Sequence, residues 1–147
     1  MSRLFIISIL LLLVVGCEEA EPPTRSDVPF INVLSITPNI IREFTDSIVI
    51  ELQYEDGDGD IGWIDADKYA LTVHDIRLIK ADDYYVPPLA PVDSEIPISG
   101  VLKVKIKNTF LLGNGADEKT YFELQITDRA GNKSNPSITE NVIIKKD

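Results

Sequence analysis

The stretch Tyr54 to Trp63 reads YEDGDGDIGW and sets Asp56, Asp58 and Asp60 at alternate positions with glycine between them. Alternate carboxylates in one turn suit a hard cation, because Ca²⁺ takes about six to eight oxygens and one such loop supplies several. The glycines let the backbone fold the carboxylates inward without a Cβ in the way. The register of a helical calcium loop does not hold: counted from Asp56, Ile61 stands where that loop needs glycine and Asp67 where it needs glutamate. A second polar turn lies at Asp128 to Asn132. If both turns close strands at one end of a fold, Asp56, Asp58, Asp60, Asp128 and Asn132 bring five oxygen-bearing side chains together as Ca²⁺ ligands. The other reading is a polar turn with no ion. Two carboxylates about 6 Å apart repel by roughly 0.7 kcal/mol in water and about 3 kcal/mol at an effective dielectric near 20. A splayed, solvated loop stands without metal; a converged, partly buried one does not.

Other reactive residues are sparse. His74 is the only histidine and Asp75 follows it directly, so on a strand the two point to opposite faces and form no dyad. The sequence holds no Gly-x-Ser-x-Gly elbow, no second histidine and no phosphate-cradling glycine loop, and the one cysteine is Cys17. These observations argue against an enzyme. Paired carboxylates hydrolyse glycosides in some folds, but a chain this acidic brings acids together by chance. The stretch ADDYYVPPLAP, Ala81 to Pro91, is a candidate ligand loop. Tyr84 and Tyr85 beside Asp82 and Asp83 suit stacking on a sugar and hydrogen bonding to it, on a backbone stiffened by proline. The same tyrosines also suit the plain task of covering a sheet edge.

The amino terminus assigns a place. Arg3 precedes Leu4 to Val15, which is apolar apart from Ser8. The run falls short of the roughly 20 residues a membrane-spanning helix needs and suits the apolar core of a secretion signal. It ends in Val14-Val15-Gly16-Cys17, which resembles the lipobox of bacterial lipoproteins. The resemblance implies that residues 1–16 are a signal peptide, cleaved before Cys17, and that the Cys17 thiol carries covalent lipid. An ordinary signal peptide with a chance cysteine, or an anchor helix, are the alternatives. Residues 17–27 are acidic, contain proline and lack apolar periodicity, so they read as a flexible tether. The acids directly after Cys17 resemble the surface-export signal of Bacteroidota lipoproteins. That resemblance implies an outer-membrane, lipid-anchored protein on the cell surface rather than on the periplasmic face. The chain has 14 basic and 24 acidic residues, a net charge of −10. Such a charge disfavours nucleic acid, whose binding rests on lysine and arginine against phosphate. It also disfavours anionic lipid heads and leaves membrane attachment to the lipid.

Residues 28–147 suffice for one domain with its own core. Their apolar pattern has period two. Ile48, Ile50, Leu52 and Tyr54 share one face of a strand over Ser47 to Tyr54. Leu102, Val104 and Ile106 alternate with lysines over Val101 to Lys107, and Phe122, Leu124 and Ile126 alternate over Tyr121 to Ile126. Weaker strands are predicted at Phe30 to Ile36, Leu71 to Ile79 and Ile138 to Ile144, with Val86 to Val92 as proline-rich loop. About seven short strands with turn residues between them predict an all-β, antiparallel β-sandwich. The stretch ELQITDRAGNKSNPSITENVIIK resembles the last two strands of bacterial immunoglobulin-like or cadherin-like domains, and SIVIELQYEDGDGDIG a strand and acidic turn of such domains in Bacteroidota surface lipoproteins. The fold implied is an immunoglobulin-like sandwich, which hosts many unrelated roles. The expected function is a non-catalytic binding or structural module at the cell envelope, with a surface protein or glycan as partner. The alternative is an accessory glycan-binding or glycan-processing protein.

Overall fold

The computed structural model describes residues 25–147. The expected signal peptide, Cys17 and the expected tether up to residue 24 lie outside the described residues. The described chain is all-β. Its strands are β1 (Phe30–Thr37), β2 (Ile40–Arg42), β3 (Ile48–Asp56), β4 (Leu71–Asp75), β5 (Asp82–Tyr84), β6 (Ile98–Ile106), β7 (Asp117–Thr120), β8 (Phe122–Ile126), β9 (Ser137–Ile138) and β10 (Val142–Lys145). They form three sheets, in the orders β1-β3-β6, β2-β10-β7 and β5-β4-β8-β9. Pairing is antiparallel throughout except between β10 and β2, which run parallel.

Period two decides what is buried. On β3, Ile48, Ile50 and Leu52 are fully buried, and their partners across β6 are Ile106, Val104 and Leu102. Phe122, Leu124 and Ile126 do the same on β8, facing Asp75, Val73 and Leu71 of β4. Val142 and Ile144 of β10 complete a core shared by all three sheets. Each such side chain contributes about 1.5 to 3 kcal/mol when removed from water. The opposite face of β6 carries Lys103 and Lys105 into solvent, as its alternation requires.

Ten strands stand where about seven were expected. The extra ones are β2, β5 and β7, with sequences IIR, DDY and DEKT. Two of them are mostly polar and all are too short for alternation to show. Each completes the edge of a neighbouring strand, β2 and β7 on β10 and β5 on β4. The strand expected over Leu71 to Ile79 stops at Asp75. There the Asp75 carboxylate accepts the Arg77 backbone N–H at 3.1 Å and its Nη2 at 2.6 Å, which turns the chain. The strand expected over Ile138 to Ile144 divides in two. The Thr139 hydroxyl accepts the Phe122 N–H at 3.0 Å, and the chain then leaves β8 to pair with β7 and β2.

Candidate metal centre

The acidic loop is placed by β3. The alternation that buries Ile48, Ile50 and Leu52 carries on through Tyr54 to Asp56, so the last residue of the strand points inward and is 1% exposed. Asp56 Oδ2 accepts the Asp60 N–H at 2.9 Å and closes the loop. Gly59 sits at φ 75°, a conformation that costs a residue with a Cβ energy. Ile61, which breaks the helical calcium register, is fully buried. Its carbonyl accepts the Leu89 N–H at 3.1 Å, so this residue pins the loop to the core.

The second turn meets it. β8 ends at Ile126, and Asp128 is 1% exposed. The Asp128 carboxylate accepts the Asn132 N–H at 2.7 Å and its side-chain amide at 2.9 Å. Arg129 N–H donates to the Asp60 carbonyl at 3.2 Å, and Ala130 N–H to Asp60 Oδ2 at 2.9 Å. The Arg129 guanidinium reaches the Gly62 carbonyl at 3.0 Å. The structure therefore brings together the two loops that the sequence singled out. Their parts differ: Asp56, Asp58 and Asp60 converge, whereas Asp128 and Asn132 hold each other across their own turn.

One oxygen from each of Asp56, Asp58 and Asp60 lies within 4.8 Å of the others. Opposite ligands of a Ca²⁺ ion stand about 4.6 to 5.2 Å apart, so the three fit one coordination sphere. Four buried side-chain polar atoms lack a hydrogen-bond partner among the described residues, and three of them are Oδ1 of these aspartates. Charged groups left in that state cost more than the roughly 1 to 3 kcal/mol of a neutral one. Burial, then the charge of Asp58, pushes the Asp56 carboxyl up to about 6. Burial, then the charges of Asp128 and Asp58, raises Asp60. Asp128 is thus close enough for its charge to be felt by both. Repulsive, desolvated oxygens in a set that contains no nitrogen or sulfur select a hard cation over zinc or copper.

Asp58 and Asp60 also line a groove of about 310 Å³ with Asp93, Ser94, Glu95 and Arg129. Asp93 and Glu95 were not singled out from sequence; they lie far along the chain in a stretch without periodicity. Tyr84 and Tyr85 line a separate groove of about 250 Å³ with Leu102, Lys103 and Lys105. The His74 ring pairs with the Leu78 carbonyl at 2.9 Å, a structural contact, while Asp75 turns to Arg77 and Thr120. Comparison with protein-family models, curated proteins and solved structures gave no match.

Proposed function

We propose that the protein is an exported lipoprotein, tethered through lipid on Cys17 to the outer membrane and displayed at the cell surface, where its immunoglobulin-like domain serves as a non-catalytic binding or structural module. The observation that carries this reading is the run from Arg3 to Cys17, in which a basic residue, a short apolar stretch, Gly16 and the only cysteine coincide. More than one acyl chain is needed for stable attachment, at about 0.8 kcal/mol per buried methylene. The immunoglobulin-like reading is supported by three sheets that share one core through mostly antiparallel pairing of strands distant in sequence. A surface protein or a glycan is the partner. The net charge of −10 speaks against nucleic acid. Cys17→Ser tests the anchor: the parent is expected in the membrane fraction with lipid attached, the variant in the soluble fraction without it. Equal membrane retention of an unlipidated variant refutes the reading.

One observation favours the glycan reading among the alternatives. Tyr84 and Tyr85 do line a groove, bounded by the lysines of β6. Glycan-array binding by the parent that is lost on Tyr85→Ala, at unchanged thermal stability, supports it; binding that survives assigns Tyr85 to packing.

A further inference from the structure

We infer that Asp56, Asp58 and Asp60 hold one Ca²⁺ ion, and that the ion locks three chain segments onto this end of the fold, including the point where the tether joins the domain. The acids alone do not carry this. What points to a ligand is that Asp56, 1% exposed, keeps Oδ1 buried without a partner, as do Asp58 and Asp60, and that one carboxylate oxygen of each of the three lies within 4.8 Å of the others. Buried polar atoms are nearly always partnered, and three unpartnered carboxylate oxygens in one loop suit a positive group. The groove beside Asp58 and Asp60 gives an ion access from solvent and room for the water ligands that complete its shell.

The lock follows from what the same loop holds by its backbone. Gly57 N–H donates to the Ser26 carbonyl at 2.9 Å. A Cβ at Gly57 would stand 2.6 Å from the carbonyl oxygens of Arg25 and Ser26, so the chain leaving the tether lies directly against the loop. The Asp58 carbonyl accepts the Ile96 N–H at 3.2 Å, and the Asp60 carbonyl accepts the Arg129 N–H at 3.2 Å. Gly57, Asp58 and Asp60 thereby grip the tether exit, the loop ending at Ile96 and the turn after β8. Each gripping residue is itself one of the three aspartates or sits between two of them. An ion that fixes those aspartates fixes all three attachments. Without it, repulsion among the carboxylates loosens the loop and its attachments together.

The test uses the full chain in detergent, stripped with chelator and titrated with CaCl₂. One ion per chain is expected, with a dissociation constant on the order of 10⁻⁴ to 10⁻³ M, as in extracellular modules. At about tenfold above that constant the folding equilibrium shifts roughly elevenfold, about 1.4 kcal/mol, which raises the melting temperature by roughly 4 to 7 °C. Trypsin cleavage after Arg25 should slow at least about threefold with calcium. Asp58→Asn should remove the binding, the melting shift and the protection, while Asp117→Asn, at an exposed position of β7, should retain all three. A parent that neither binds calcium nor shifts in melting overturns the site. Binding of parent strength in Asp58→Asn overturns the ligand assignment. Binding with unchanged cleavage at Arg25 overturns the lock. None of these results bears on the Cys17 anchor, which the fractionation of Cys17→Ser tests separately.

Discussion

Asp56→Asn in metal-free protein should stabilise the fold at neutral pH. Asp56 is buried at the end of β3 beside two further acids, and its carboxyl is raised from 3.8 to about 6. The native state therefore holds the Asp56 proton more tightly than the unfolded state does. Stability linked to this group is present below about pH 4 and is lost as pH rises through 6. A rise of about two units corresponds to about 3 kcal/mol at roughly 1.4 kcal/mol per unit. Asp58 and Asp60 are only half-buried, so solvent screening reduces the effect to roughly 1 to 2 kcal/mol. Asp60, also raised, acts in the same direction. Asp75 and Glu118 are lowered, Asp75 because hydrogen bonds from Arg77 and Thr120 outweigh its burial, and Glu118 by the N–H groups of Leu112 and Gly113. Their stabilisation disappears only under stronger acid, so the two windows separate. Urea unfolding in chelator should show the parent more stable at pH 4.5 than at pH 7, and Asp56→Asn about 1 to 2 kcal/mol above the parent at pH 7. A parent as stable at pH 7 as at pH 4.5, or a variant weaker than the parent at pH 7, refutes the electrostatic reasoning.

Leu124→Ala, at a fully buried position of β8, should cost about 2 to 5 kcal/mol in urea unfolding, and Lys105→Ala on the wet face of β6 under about 0.5 kcal/mol. Asp75→Ala leaves the Arg77 guanidinium with Glu118 as its remaining carboxylate and leaves the buried Thr120 hydroxyl only the Tyr121 carbonyl at 3.3 Å in place of its 2.6 Å bond to Asp75. Its expected cost is about 1 to 3 kcal/mol by the same assay, because the Arg77 charge stays paired.

The strong strands were legible because Ile48 to Leu52, Val104 to Ile106 and Phe122 to Ile126 alternate over a length that fixes the inner face. The same parity, continued two steps beyond Tyr54, foretells the burial of Asp56, though the run of acids and glycines disguises it as an exposed turn. The meeting of the two loops stood in the sequence only as a condition, that both turns close strands at one end, and the bonds from Arg129 and Ala130 to Asp60 meet it. That Asn132 would give its amide to Asp128 was not legible, because a sequence does not show whether a polar side chain faces its own turn or the neighbouring one. The short strands β2, β5 and β7 are set by the edges they complete, and Asp75 ends its strand through Arg77 two residues on and Thr120, 45 residues away. Such tertiary partners leave no local period.

Anomalous diffraction from crystals of the protein grown with Tb³⁺, a stand-in for Ca²⁺, is the most direct measurement. The calcium site predicts one strong peak per chain, about 2.3 to 2.6 Å from a carboxylate oxygen of each of Asp56, Asp58 and Asp60. It also predicts that the peak diminishes when Ca²⁺ competes. No peak at the loop, with these three oxygens hydrogen-bonded to water or splayed apart, would contradict it and leave a polar turn between two strands.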